Sequence, residues 1–550
     1  MKRRLSFALP SLRASKLILL RLVVLALMVA SIANAVMLAA VGDLDPSFGM
    51  GGRVISDFGH TDNQAFGMIV QPDGKIVVAG YGINSLTHGF DFLVARYNSS
   101  GSLDTGFGSG GKVYTDFFGS QELAYAVGIQ LDGKIVAAGY IGDGLGGSDF
   151  AIARYNPDGS LDSSFGNGGK TTTSIGNRDE AYGLVIQPDG KIIIAGDTDV
   201  SRLPDFALVR YNSDGSLDPS FGSGGKVVTD WFGDTDIALA VALDSKGRVI
   251  AAGYTGQSIQ TSTDFGVVRY NPNGSLDQNF GSHGKASTDF FGREDEGRDL
   301  AIQPDDKIVV TGYASLPPER RDFALVRYNT NGSLDSGFGA GGKLTTAITS
   351  RFDQSEAIAI QPNGKILVGG TASNADSPTG KDFALVRYNA NGSLDQAFGS
   401  GGKVTTDFSK RLDEGQAIAL QPDNKILLAG FSFNTSGGTG DDIILARYTN
   451  DGIDFDLCIQ DDSSGNLLQI NTMTGDYQFT NCAGLTLGST GTLTKRGSLI
   501  TLQHNSADRR VLATVDTSAK RATASVQLLS QGQMFSITDR NITNNTCACR

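Results

Sequence analysis

An arginine-tyrosine pair recurs seven times along the chain, at Arg96-Tyr97, Arg154-Tyr155, Arg210-Tyr211, Arg269-Tyr270, Arg327-Tyr328, Arg387-Tyr388 and Arg447-Tyr448, and each pair closes a unit of about 58 residues. A unit of this length is too small to bury its own apolar face and must stack on copies of itself, which restricts the chain to a propeller, a solenoid or an array. Four β-like runs fill each unit; in the second they read GKVYTDF, LAYAVGIQ, KIVAAGY and DFAIARYN. Gly contributes 72 of 550 residues, and because it falls in periodic turns beside Val, Ile and Phe runs it marks a turn-dense all-β protein.

The second and third runs are joined by QPDGK or a close variant, with Gly74, Gly133, Gly190, Gly247, Asp306, Gly364 and Asn424 at the turn position. Only residues that tolerate a left-handed backbone stand there, so the joint is a tight hairpin. Four antiparallel strands per unit and seven units favour radial closure. The expected fold is a seven-bladed β-propeller of four-stranded blades over residues 36–452, followed by a small β-rich domain over 453–550. The motifs LDxxFGxGGKV, QPDGKIVVAG and DFALVRYNxDGSLD resemble the delta-60 repeat of exported, mostly bacterial proteins, over residues 44–452. The resemblance implies a propeller-like repeat domain and carries no activity with it.

Side-chain size orders the strands. Ala124, Ala126 and Gly128 place small residues on one face of the second run, with Val127 and Ile129 on the other, which suits the crowded strand nearest the axis. The GKVxTDF run of the following unit is then outermost. On this phasing the last unit lacks an outer strand and residues 53–58 are a spare one, so the two ends should pair and close the ring.

The first 35 residues read as an export signal: Lys2, Arg3, Arg4, Arg13 and Lys16, an apolar run over 17–32, then Ala33-Asn34-Ala35. An uncleaved membrane anchor is the alternative. Removing this segment takes away six basic residues and moves the formal charge from -12 to -18. Such a charge disfavours nucleic acid and anionic membranes as partners. A secreted or envelope location, a monomer, and an extracellular or envelope macromolecule as partner are expected. Cys458, Cys482, Cys547 and Cys549 all lie in the tail, and an even count in an exported chain suggests two disulfides.

Three polar features recur. An aspartate opens each DF run (Asp91, Asp149, Asp205, Asp264, Asp322, Asp382, Asp442), five residues before the arginine and so on the opposite face of the strand. Pairing of these charges between neighbouring blades is expected, with the LDxxFG aspartates such as Asp104 or Asp162 as partners. Entering the inner strand stand Asn63, Glu122, Asp179, Asp236, Asp295, Asp353 and Asp413. The six acids would ring one mouth of the channel, either as acceptors of backbone N–H bonds in tight connectors or as oxygen ligands of calcium. The third feature is a variable loop of eight to eleven residues before each DF run, on the same face as those connectors.

No cofactor is indicated. The four histidines sit at unrelated positions, and neither a GxSxG nucleophile elbow nor a phosphate-binding loop occurs. The composition therefore favours a non-enzymatic binding or scaffold protein that uses one propeller face. The alternatives are a hydrolase or lyase acting on polysaccharide or peptide at the channel mouth, and a structural surface-layer component. An enzyme should break the sevenfold pattern in one sector, and Arg293-Glu294-Asp295-Glu296 is the strongest charge irregularity.

Overall fold

In the computed structural model the described residues are 40–450, apart from 60–61, 84–88, 118–120, 201, 232, 257–261, 319, 374–379, 409–411 and 434–439, together with the backbone of ten strands between 457 and 543. They contain strands and turns and no helix, so none is long and apolar enough to cross a membrane. The segment 1–35 lies outside them, as do the side chain of Cys458 and all of Cys482, Cys547 and Cys549.

Blade 1 runs from an inner strand, Asn63–Val70, through Ile76–Ile83 and Phe90–Tyr97 to an outer strand, Lys112–Thr115, all antiparallel. Blades 2 to 6 repeat this order, with inner strands Gln121–Ile129, Asp179–Ile186, Asp236–Leu243, Asp295–Ile302 and Asp353–Ile360. Blade 7 holds Asp413–Leu420, Ile426–Phe433 and Asp441–Tyr448, and its outer strand is the N-terminal Arg53–Ser56, paired Arg53 with Ala446 and Ser56 with Ile443. The ring is thus closed by the two ends of the repeat region, which gives blade 7 the same four strands as the other blades. Each inner strand contacts those of both neighbouring blades, including Asn63–Val70 with Asp413–Leu420.

The turn position behaves as its residue types require. Even the two non-glycine copies, Asp306 and Asn424, have φ of 60° and 65°. The apolar core lies between blades: Val77, Ala79 and Val94 of blade 1 meet Ile135 and Ala137 of blade 2, and Val78 and Leu93 meet Leu427 and Leu445 across the closure.

One local feature corrects the side-chain pattern expected for the inner strand. Its register against the second strand shifts between Ala124 and Ala126, so Tyr125 bulges out of the ladder. The bulge reverses the alternation. Ala124, Val127 and Ile129 therefore share the face that packs on blade 1, whereas Gly128 lies against Leu184 and Ile186 of blade 3. The same shift occurs in all seven blades. It also accounts for the glycine of each KIVVAG run: a Cβ at Gly139 would collide with the Leu123 carbonyl oxygen, and the other six copies are confined in the same way.

Beyond the propeller, residues 457–543 form two five-stranded antiparallel sheets, one of 457–460, 466–470, 476–481, 485–490 and 542–543, the other of 492–496, 499–505, 509–516, 521–528 and 533–538.

Candidate functional site

Most of the recurrent charge is committed to holding blades together. Arg154 Nε donates to Asp162 Oδ2 at 2.8 Å, the guanidinium lies 4.6 Å over Phe165, and Lys134 Nζ stands 3.0 Å from the same carboxylate. Equivalent clusters surround Asp104, Asp218, Asp277, Asp335 and Asp395, and Arg447 takes Asp45 and Phe48 across the closure. The partner is the expected LDxxFG aspartate, but it belongs to the loop that follows the arginine's own strand. Contact between blades is made instead by Nη1: Arg96 donates to the Pro157 carbonyl and Arg210 to the Pro272 carbonyl, each at 2.5 Å. Four of the DF aspartates, Asp91, Asp205, Asp264 and Asp382, stand instead beside the connector acids.

The six connector acids are buried and cap the turns that enter the inner strands. Glu122 accepts Phe117 N–H at 2.8 Å, Asp179 accepts Ile175 and Gly176, Asp236 accepts Trp231, Asp295 accepts Phe290, Asp353 accepts Ile348 and Thr349, and Asp413 accepts Phe408. Four of them meet the DF aspartate and a second aspartate at a junction between blades: Asp91, Asp116 and Glu122; Asp205, Asp230 and Asp236; Asp264, Asp289 and Asp295; Asp382, Asp407 and Asp413, with carboxylate oxygens within 4.8 Å of one another. Asp179 and Asp353 lack the third member, because Ser174 and Ala347 stand where the others have aspartate. Burial pushes Asp236 and Asp295 up to about 7, and Asp264 and Asp413 up to about 6. Three oxygens in that spacing fit a hard cation, and a lysine already approaches each of three junctions, Lys170, Lys285 and Lys343 donating to the carbonyls of Asp116, Asp230 and Asp289.

The channel mouth is where the sevenfold pattern gives way. The inner-strand bulges present Phe66, Tyr125, Tyr182, Leu239, Arg298, Glu356 and Gln416, one per blade and all half-buried. A bulge is a device for re-aiming a side chain, and here it supplies seven different ones on an otherwise uniform frame. Beside them stand seven cross-strand pairs: Gln64 with Tyr81, Leu123 with Tyr140, Glu180 with Asp197, Ile237 with Tyr254, Glu296 with Tyr313, Gln354 with Thr371, and Glu414 with Phe431. The pairs sit near the end of each second strand, which leads into the variable loop, and each bulge residue lies two positions further along the inner strand. Sequence reasoning passed over all of them but Glu296, although the bulge position, eight residues before the hairpin turn residue, varies between near-constant neighbours.

Blades 7, 1, 2 and 3 give the mouth an aromatic sector. Phe66 stacks on Tyr125 at 4.6 Å, Tyr125 meets Tyr182 edge-on at 5.1 Å and Tyr140 at 5.8 Å, and Phe431 meets Phe66 at 5.9 Å. Blades 5, 6 and 7 give it a charged one. Arg298 Nη2 lies 2.8 Å from Glu296 and Nε 4.0 Å from Glu356; Lys381 pairs with Glu414; Arg321 lies 4.2 Å over the Tyr313 ring and 2.8 Å from Glu294. Burial opposes the charge on Arg298, yet Glu356 and Glu296 raise its pKa further. Glu356 is raised by burial, against the pull of Arg298. Of the irregular run noted in the sequence, Glu296 reaches the mouth, Asp295 caps the connector and Glu294 holds Arg321.

A family model described as a domain of unknown function (DUF5122) beta-propeller matches seven segments, 71–107, 130–165, 187–221, 247–280, 303–338, 361–398 and 421–452, one in each blade. The chain is therefore a propeller-like repeat protein. No curated protein matches it. Among solved structures, virginiamycin B lyase from Staphylococcus aureus is 12% identical over 72% of this chain and 98% of its own, with a TM-score of 0.43. The polysaccharide lyase Uly1 is 9% identical over 70% and 90%, at 0.40. The β-propeller domain of the Trilobed protease from Pyrococcus furiosus is 9% identical over 70% and 95%, at 0.35. Likeness at this level transfers no activity to this chain.

Proposed function

We propose that the protein is an extracytoplasmic, non-enzymatic binding protein that takes a macromolecular partner at the channel mouth on the loop-bearing face. The observation that carries this reading is the set of seven bulge residues: the frame repeats, and the side chains it directs to the mouth do not. Rigid scaffolds with divergent side chains at one end are built for recognition. The basic and apolar N-terminal segment supports export. Capture from the native envelope by wild-type protein and by variants tests it. Tyr125→Ala with Glu356→Gln should abolish capture, whereas Leu131→Ala, in the hairpin at the opposite end of blade 2, should leave it intact. Equal capture by all forms would contradict the reading.

One observation favours an enzyme at the same mouth. Glu180 and Asp197 face each other across adjacent strands, and burial, with Glu180 adding to it, pushes Asp197 up to about 8, a range suited to a general acid. Turnover of a glycan or peptide that is lost in Asp197→Asn would establish that alternative.

A further inference from the structure

The second-strand column at the mouth reads Tyr81, Tyr140, Asp197, Tyr254, Tyr313, Thr371 and Phe431, so blade 3 carries a carboxylate where five blades carry an aromatic ring. Asp197 is 1% exposed, and its Oδ1 has no hydrogen-bond partner. Directly opposite stands a second acid, Glu180. Two carboxylates in register repel, and a buried acceptor without a donor is costly, so neither is explained by the stability of the sheet.

Both features are explained by a cation. Glu180 already holds one: Arg178 Nε donates to Oε1 at 2.8 Å, from a side chain that is 49% exposed at the rim. Tyr182 Oη donates to the other oxygen at 2.6 Å, and its ring meets Tyr125, which stacks near Tyr140. Aromatic faces beside carboxylates attract an organic ammonium or guanidinium, whereas among the described residues Glu180 and Asp197 fall in none of the groups of three acids close enough to hold a metal ion. Burial, with the Glu180 charge adding to it, pushes Asp197 up to about 8, so a cation seated there would displace its proton.

We propose that Glu180 and Asp197, walled by Tyr125, Tyr140 and Tyr182, form a seat for a lysine or arginine side chain of a peptide partner, with Arg178 occupying its edge in the free protein. The inference rests on the mouth being the binding site and names the chemistry of its ligand. Calorimetric titration of the full chain with blocked tetralysine and tetraarginine tests it, with a neutral oligosaccharide as control. One-to-one binding is expected, weakened at least about tenfold by Asp197→Asn and by Glu180→Gln, and unchanged in Leu131→Ala. Thermal melts of each variant confirm folding. Peptide binding that is absent, or equally strong in both carboxylate variants, would overturn the seat. Binding of the neutral sugar alone, lost in Tyr125→Ala, would overturn the cationic ligand while leaving the mouth as the site. Envelope capture indifferent to Tyr125→Ala with Glu356→Gln would remove the mouth itself and the seat with it.

Discussion

The Tyr97 hydroxyl donates to Ser56 Oγ at 2.8 Å, and so ties blade 1 to the outer strand of blade 7 across the closure of the ring. The six other blades repeat the bond with threonine, as between Tyr155 and Thr115 or Tyr448 and Thr406. A buried tyrosine at each junction thus reads whether the preceding blade has its outer strand. Deleting residues 44–60 removes that strand, Ser56, and the Asp45 and Phe48 partners of Arg447. Loss of the Arg447 pairing alone should cost about 3 kcal/mol, and Tyr97→Phe about 1 kcal/mol. Thermal unfolding checks both; a truncation that melts with the parent would refute the closure.

The Arg, Asp and Phe clusters are buried, so removing one partner strands the other. Asp218→Ala leaves Arg210 without its carboxylate and should destabilise the chain by about 3 kcal/mol, whereas Lys191→Ala, at the exposed edge of the same cluster, should cost about 0.5 kcal/mol. Chemical denaturation of the two variants measures the difference.

Stability should fall on both sides of a mildly acidic optimum. Asp197, Asp236 and Asp295 are pushed up to about 8, 7 and 7, chiefly by burial. Each binds a proton more tightly folded than unfolded, so stability declines as pH rises from the ordinary carboxyl range through those values. Asp162 and Asp218 behave oppositely. Burial opposes their charge, but Ser164 and Lys134, and Lys191 and Ser220, hold them far below the usual range, so their contribution is complete above it and lost as pH falls. Around Asp197 stand Glu180, Arg178, Asp179 and Asp199, with Tyr140, Tyr182 and Tyr254 on neighbouring strands. Melting temperature against pH should therefore decline between about 5 and 8, and Asp197→Asn should flatten that decline. A variant with the parent's slope would show that Asp197 does not titrate there.

The blade junctions make a separate prediction. Their connector acids already accept backbone N–H bonds, and a lysine approaches three of the four junctions, so calcium should leave the melting temperature unchanged. A calcium-dependent rise that disappears in Asp295→Asn and Asp413→Asn would make them cation sites.

Cys547 and Cys549 should each bond to Cys458 or Cys482, since a single intervening residue strains a bridge between them. Peptide mapping without reductant decides this, and a Cys547–Cys549 link or four free thiols would contradict it.

Much of the fold was legible because repetition exposes constraint. The hairpin position accepts only Gly, Asn or Asp, and Asp306 and Asn424 show why; the spare strand at 53–58 was implied by phasing alone. The mouth was not legible, because strict alternation was assumed through Tyr125, and a bulge is invisible to a period of two. The glycine of each KIVVAG run was its trace: Gly139 is required by the carbonyl of Leu123 beside the bulge. Likewise the partner of each arginine could be named from its motif, but the blade that owns it depended on a loop path that spacing does not reveal.

The central claim is that the partner enters at the bulge residues. Leu239 is the aliphatic member of that set, so a photoreactive amino acid in its place tests the claim in cells with little change of charge or size at the mouth. Crosslinking to a partner from position 239, and none from position 131 at the opposite end of the channel, is the predicted result. Equal crosslinking from both positions, or crosslinking from 131 alone, would contradict it.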